Sequence, residues 1–456
     1  MMRVAEAALA LAAEHRGGDV TFMSVGTDSR ALQPQALFVA LRGPNFDGHQ
    51  YIGAARAGGA VAAIADTAGA ALAPPDMPLI IVNDTQQALT RLASAWRSRY
   101  HGPLLALTGS SGKTTVKEML AAILHEVAGD AVLATRGNLN NEIGVPLTLL
   151  QLRAHHRYAV LELGMNHAGE ISRLTQLARP DVALINNAGR AHIEFLGSEE
   201  AIAHAKGEIF EGLSAAGTAL INADDRYAPL WIKNINKIKY LRFGLKRAAD
   251  ISASYALHAL HSEIELRTPA GTVSTTLNAP GLHNVHNALA ACAGATALNV
   301  PLTAIAAGLA KYAGVSGRLQ RKTARGGATV IDDTYNANPE SMRAAIEVLA
   351  RVPGRRLLVL GDMGELGERA EACHRELGDY ARAAGIERLY ALGEQSAHAV
   401  AAFGVGARHF ATMDALTAQL TAELAPVLTV LVKGSRFMQM ERAVAACTND
   451  ISAPHP

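Results

Sequence analysis

Short uninterrupted apolar runs alternate with amphipathic stretches along most of this chain. From Pro103 onward, "LLALTG", "YAVLELG", "DVALINNAG" and "TALINADD" are apolar runs that end in glycine or polar residues. After the first of them, Val116, Met119, Leu120, Ile123, Leu124 and Val127 follow the i, i+3, i+4 spacing of an amphipathic helix. Strands that are apolar on both faces, separated by helices, predict a parallel sheet covered on both sides. Residues 251–277 change pattern: "ISASYALHALHSEIELRT" alternates apolar and polar, which predicts an antiparallel excursion. A helix around "NVHNALAACAGATAL" and a Gly-rich turn at "YAGVSGR" follow.

The flanking regions repeat the theme at different scales. Before residue 84, "DVTFMSV", "ALFVAL", "GGAVAAIA" and "MPLIIVND" read as strands of a small α/β module. Asp84 reads as the N-cap of a helix running to about Arg99. After Arg318, "ATVIDD", "RLLVLGD", "RLYALG" and "LTVLVKG" are strands followed by helix-like segments. The predicted fold is therefore α/β with three domains. Residues 1–83 form a small N-terminal domain, 84–315 a central P-loop, mostly parallel domain, and 316–456 a Rossmann-like doubly wound domain. Ligands in such sheets sit beyond the carboxyl ends of the strands, so the polar residues closing them are the candidates.

Composition narrows the picture. At 456 residues a length prior gives about three domains. Hydrophobic residues make up 49% and charged residues 18%, which fits packed globular domains and excludes a disordered chain. A formal charge of +1 argues against a general nucleic-acid binder. Cys292, Cys373 and Cys447 are far apart and odd in number, so neither a disulfide framework nor a metal-ligand spacing is present. The N-terminal apolar run is bracketed by Glu6 and Glu14 and suits a short helix, not a signal peptide. No apolar stretch reaches the roughly 18 residues of a membrane span. A cytoplasmic location is expected.

The chemistry concentrates in "LTGSSGKTT". A strand delivering a Gly-rich turn to a helix N-terminus aims backbone N–H groups at one spot, which favours phosphate. Lys113 is expected to reach the β- and γ-phosphates and the Thr114 hydroxyl to hold Mg²⁺. The usual loop has a glycine five residues before Gly112, where this chain has Leu107. Glu162 closes "YAVLELG" as a possible metal carboxylate, although strand-end acids are as often solvated. His192 and Lys206, taken singly, read equally well as structural or exposed residues.

Seven stretches occur in one order: "TGSSGKTT", "NLNNEIGVPLTLL", "LELGMNHAGEI", "AHIEFLGSEEAIAHAKGEIFEGL", "GLHNVHNALAA", "GRLQR" and "DDTYNANPESM". Together they resemble the murein (Mur) ligases, ATP-dependent amide-bond ligases of peptidoglycan precursor assembly. With "TDSRALQPQALFVALRGPNFDGHQYI", the resemblance covers nearly the whole chain. It accounts for Leu107, because this family's loop has the short T-G-x-x-G-K-[ST]-T form. The "DDTYNANPESM" segment is similar to the branch that joins D-alanyl-D-alanine to UDP-N-acetylmuramoyl-tripeptide. The alternatives are ligases adding diaminopimelate or lysine, and folylpolyglutamate synthetases; a non-catalytic ATP-binding regulator is the rival from another class.

The resemblance implies roles. Gly109, Ser110, Ser111, Gly112, Lys113, Thr114 and Thr115 hold the ATP phosphates; Thr114 and Glu162 bind one Mg²⁺ and His192 a second. Lys206 matches a carbamylated lysine, whose anionic carbamate serves a metal. Lys113, Glu162, His192 and Lys206 are thus the expected catalytic set. Asn287 faces the adenine, Arg318 the phosphates and Asp333 the ribose. Asn336 and Asn338 orient dipeptide or nucleotide, while Asn138, Asn140 and Asn141 face the muramoyl-peptide. Thr27, Ser29, Arg30, Asp47, Gly48 and His49 resemble a uridine-nucleotide pocket, although Asp-Gly-His also suits a turn. Lys433, Ser435 and Arg436 are candidates for the dipeptide carboxylate, or merely a helix start. The glycines of "LGDMGELG" are spaced wrongly for a dinucleotide fingerprint, so a substrate-facing turn is expected and no NAD. The implied partners are the UDP-sugar tripeptide and the dipeptide, with no nucleic acid, no membrane span and a monomeric chain.

Overall fold

The computed structural model describes residues 1–190, 193–235 and 237–448. Its centre is a six-stranded sheet in the order Val132–Ala134, Tyr158–Glu162, Leu104–Thr108, Val182–Ile185, Thr218–Asn222, Lys239–Phe243. Every neighbouring pair is parallel. Alternate side chains serve opposite cores: Leu104 and Ala106 enter one, Leu105 and Leu107 the other. The chain leaves Leu104–Thr108 for the edge, returns through Tyr158–Glu162, then crosses to Val182–Ile185. The carboxyl ends of these three central strands therefore open one crevice.

The two edge strands, Val132–Ala134 and Lys239–Phe243, were not predicted from the pattern. "KYLRF" carries Lys239 and Arg242, and an edge strand half-open to water needs no continuous apolar run. The antiparallel excursion is a three-stranded sheet of Ser252–Leu257, Ser262–Thr268 and Gly271–Leu277. Helices Leu282–Ala297 and Leu302–Lys311 then pack on the phosphate-loop helix Lys113–Ala128. Contact is close because Gly308 lacks a Cβ, which would lie 2.4 Å from the Ile123 Cα.

The N-terminal sheet runs Glu14–Arg16, Leu79–Val82, Ala60–Asp66, Ala36–Val39, Ser24–Gly26, antiparallel only at its first pair. Asp84 caps helix Thr85–Arg97, accepting from the Gln87 N–H at 2.9 Å. Leu89 and Leu92 of that helix enter one core continuous with both the N-terminal and central sheets. The C-terminal sheet runs Gln320–Thr323, Thr329–Asp333, Leu428–Lys433, Arg355–Gly361, Arg388–Leu392, Ala407–Phe410. Only Gln320–Thr323 is antiparallel, and cores lie on both faces. The three-domain α/β architecture is as expected. Among the described residues no helix is long and apolar enough to cross a membrane.

Candidate active site

The phosphate loop sits at the mouth of the central crevice. Strand Leu104–Thr108 ends on Thr108, whose hydroxyl donates to the Leu163 carbonyl at 2.9 Å and ties the loop's root to the neighbouring strand. Gly112 has φ +79°, and a Cβ there would lie 2.3 Å from the Asn287 Oδ1. Only glycine accommodates both the backbone conformation and the close approach. Beneath the loop lies an amide network: Asn186 Nδ2 donates to the Ser111 carbonyl at 3.0 Å and to Asn287 Oδ1 at 3.1 Å. Asn187 Oδ1 accepts from the Ser111 N–H at 2.9 Å. These asparagines hold the loop's shape without a ligand, which is how a fold prepares an anion cradle.

Thr114, on the first turn of the loop helix, donates its hydroxyl to Glu162 Oε2 at 2.8 Å. The other Glu162 oxygen accepts from Asn140 Nδ2 at 2.8 Å, and its backbone N–H donates to Thr135 Oγ1 at 3.0 Å. A hydroxyl and an oriented carboxylate are hard oxygen donors, so this pair fits Mg²⁺. Lys117 was missed by the sequence reading, because it looks like one more helical lysine. It is wholly buried, donates to the Thr135 carbonyl and pairs with Glu118. It thereby steadies the residue that positions Glu162.

Two further lysines meet here in a different state. Lys113 donates to the Gly109 carbonyl at 2.7 Å, inside its own loop. Burial lowers its pKa, and the nearby Arg318 adds to this while Glu162 opposes it. Lys206 lies on helix Glu199–Gly207 and is 1% exposed. Burial, and then the charge of Lys113, push its amine well below the usual lysine range.

The C-terminal domain closes the other side. Arg318 Nη2 donates to Thr114 Oγ1 at 3.0 Å, and its guanidinium lies 4.2 Å from the Tyr335 ring centroid. Its Nε is buried without a partner among the described residues, a donor left for an anion. Asn338 Nδ2 donates to Ser111 Oγ at 3.2 Å, and Arg190 Nε to Glu340 Oε1 at 2.7 Å. Between these walls is a cleft of about 1280 Å³. That exceeds the roughly 300–1,000 Å³ of ordinary small-molecule sites, leaving room for a nucleotide beside a second substrate.

Comparison with known proteins fits this geometry. "Mur ligase middle domain" matches residues 107–295, "Mur ligase, glutamate ligase domain" 317–436, and "Mur ligase family, catalytic domain" 21–97. The UDP-N-acetylmuramoyl-tripeptide–D-alanyl-D-alanine ligase of Escherichia coli K12 is 47% identical over 438 residues, covering 95% of each chain. This chain belongs to the Mur ligase family. The Haemophilus influenzae ligase of the same name is 41% identical, again over 95% of each chain. A crystal structure of MurF from Acinetobacter baumannii superposes with a TM-score of 0.89 at 34% identity, covering 98% of both chains. MurF from Thermotoga maritima in complex with ADP gives 0.80 at 28% identity, over 93% of this chain and 96% of that one.

For a Mur ligase, the cleft gathers most of the sequence candidates and leaves others elsewhere. Ser110 to Thr115, Asn138, Asn140, Glu162, Asn287, Arg318, Asp333, Asn336 and Asn338 all line it. Gly109 roots the loop through its carbonyl. Gly364, Glu365 and Leu366 also line it, so the "LGDMGELG" turn faces the cleft as expected. Asn141 does not: its Oδ1 accepts from the Ile143 and Gly144 N–H groups at the start of helix Gly144–Leu149. Lys206 stands behind the cleft beside Lys113. His192 lies outside the described residues.

Several candidates already have partners within the protein. Lys433 pairs with Asp333 at 2.7 Å and donates to the Asn336 carbonyl at 2.9 Å. Ser435 bridges Gly364 and Ala337, and Arg436 pairs with Glu441. These groups line the cleft and at the same time hold its wall together. In the N-terminal domain, Thr27, Ser29 and Arg30 lie on a loop where Arg30 pairs with Asp28. His49 is 1% exposed: its Nδ1–H donates to Asp47 Oδ1 at 2.6 Å, and its Nε2 accepts from the Asp66 N–H at 3.1 Å. Asp47 also accepts from the His49 N–H, and Gly48 donates to the Leu41 carbonyl. Asp47-Gly48-His49 is thus a turn locked by its own histidine.

Proposed function

We propose that this Mur ligase joins D-alanyl-D-alanine to UDP-N-acetylmuramoyl-tripeptide, with ATP, in peptidoglycan precursor synthesis in the cytoplasm. The observation that carries the reading is the meeting of Thr114, Glu162 and Arg318 at one point, with Tyr335-Asn336-Ala337-Asn338 along the facing wall. The tripeptide carboxylate attacks the ATP γ-phosphorus, ADP leaves, and an acyl phosphate forms. The dipeptide amine then attacks that carbonyl, loses a proton, and the tetrahedral intermediate expels phosphate. An enzyme for this sequence needs alignment and cations rather than a nucleophilic side chain. Lys113, Arg318 and the loop N–H groups provide them.

Thr114 and Glu162 would hold one Mg²⁺, and His192 with a carbamate on Lys206 a second; bound there, the ions neutralise phosphate charge. Lys206 suits carbamylation because the reaction needs a neutral amine. Its nitrogen attacks CO₂, a proton leaves, and an anion results. Asn287 is the candidate for contacting the adenine and Asp333 for contacting the ribose; both line the cleft. Thr27, Ser29 and Arg30 are the surface candidates for the uridine nucleotide, and the chain is taken to act as a monomer. A phosphate-release assay tests the reading. Release with D-alanyl-D-alanine, and none with diaminopimelate, lysine or glutamate, is expected; the reverse pattern would overturn it.

A further inference from the structure

The hairpin between Ser252–Leu257 and Ser262–Thr268 carries a second cluster of ligating groups. Leu257 pairs with Ser262, so His258 and His261 face each other across the turn, and the His258 N–H donates to the His261 carbonyl at 3.0 Å. Because side chains alternate along a strand, Glu263 lies on the same face as His261, two residues on. The intervening Ser262 points into the core and is fully buried. Ala256, opposite Glu263, is the fourth position on this face and leaves space above it.

The three side chains have gathered. The imidazoles are stacked at 4.4 Å between centroids and 13° between planes. His258 Nε2 is 3.8 Å from Glu263 Oε1, and one ligating atom from each residue lies within 4.8 Å of the others. In a tetrahedral zinc site with bonds near 2.0–2.1 Å, ligand atoms sit about 3.3 Å apart. Surface side chains close that difference by small rotations. Two imidazoles and one carboxylate select zinc or a similar first-row ion over Mg²⁺, and leave a fourth position for water. At the tip of the same turn, Leu260 lines the nucleotide cleft.

We propose that His258, His261 and Glu263 form a surface transition-metal site, distinct from the phosphate loop, which pins the hairpin tip at the edge of the cleft. The test is calorimetric titration of chelator-stripped full-length protein with Zn²⁺ under excess Mg²⁺. The wild type is expected to bind one equivalent more than a His258→Gln/His261→Gln variant, and Glu263→Gln to bind that equivalent more weakly. Glu162→Gln is expected to keep it. Equal stoichiometry and affinity in wild type and double variant would overturn the site. So would loss of the equivalent in Glu162→Gln, which would put the ion at the phosphate loop. Pinning is read separately: amide exchange at Ala259 and Leu260 slows on adding Zn²⁺ in the wild type alone, and unchanged exchange would sink that part.

Discussion

The two walls of the cleft use charge in opposite ways. On the C-terminal wall ionic groups are closed on one another, Asp333 on Lys433 and Arg436 on Glu441, with Arg318 reaching across to Thr114. On the central wall, burial and then the charge of Lys113 push the Lys206 amine well below the usual lysine range, while half-buried Lys113 is lowered by burial and Arg318 and held up by Glu162. Paired charges hold a shape, Lys113 serves as a cation, and a lysine whose proton affinity is lowered as far as that of Lys206 is a candidate reagent. The proposed reaction accordingly puts the reacting groups on the central wall and uses the C-terminal wall as a template. Lys206→Ala is the strongest way to break this contrast. Activity is expected to fall by about 10³-fold or more, as when a group stabilising transition-state charge is lost. If Lys206 carries the proposed carbamate, formate or acetate should restore part of it by occupying that place. A variant that retains wild-type turnover would end the distinction.

The C-terminal wall should respond in stability instead. Lys433→Met leaves the Asp333 carboxylate buried with the Leu319 N–H at 3.1 Å and the more distant charge of Arg318. Burial already raises the Asp333 pKa and Lys433 opposes that, so removing Lys433 raises it further. Breaking such a pair costs about 3 kcal/mol, measured by urea unfolding of the full chain. Asp333→Asn in the same molecule should recover most of the loss, since it removes the orphaned charge. If the double variant is no more stable than Lys433→Met alone, the pair is not the organising contact.

The same contrast explains what could be read from sequence. The parallel sheets were legible because a strand buried on both faces must be an apolar run, as "LLALT" and "LTVLVK" are. The edge strands Val132–Ala134, Lys239–Phe243 and Ala407–Phe410 were not, since one side of each is free of a partner strand. Lys113, Thr114 and Glu162 were legible as a loop and a strand end. Lys117 was not, because its burial depends on Thr135, which follows strand Val132–Ala134 beyond the end of the helix that carries Lys117. Lys433, Ser435 and His49 look like free polar groups in a string of letters. Only packing reveals that Asp333, Gly364 and Asp66 already occupy them.

Protonation at the seam between the walls sharpens the picture. His283, on helix Leu282–Ala297, has its pKa pushed down to about 4, by burial first and then by the charge of Lys433. In the unfolded chain it titrates near 6.5. Between these values the unfolded chain binds a proton that the folded chain refuses, so stability rises with pH across that window. As pH falls from about 6.5 to about 4, the wild type should lose stability, and His283→Gln should lose less. Parallel curves for the two proteins, by thermal melts across that range, would remove His283 as the cause.

The smallest effect should come from the contact that joins the walls. Arg190 and Glu340 pair at 2.7 Å with 19% and 40% of their side chains exposed, so solvent screens them. Arg190→Ala should cost under about 1 kcal/mol, which is a factor of up to roughly five in the KM for ATP. Turnover at saturation should hold, because Arg318 and Asn338 still cross to Thr114 and Ser111. Without nucleotide, the variant should show a larger radius of gyration by X-ray scattering than the wild type, and ATP analogue with sugar-peptide should bring the two together. If the radii agree throughout, Arg190 does not latch the domains. If turnover falls while KM holds, Arg190 acts on the reacting groups, and the central wall extends to it.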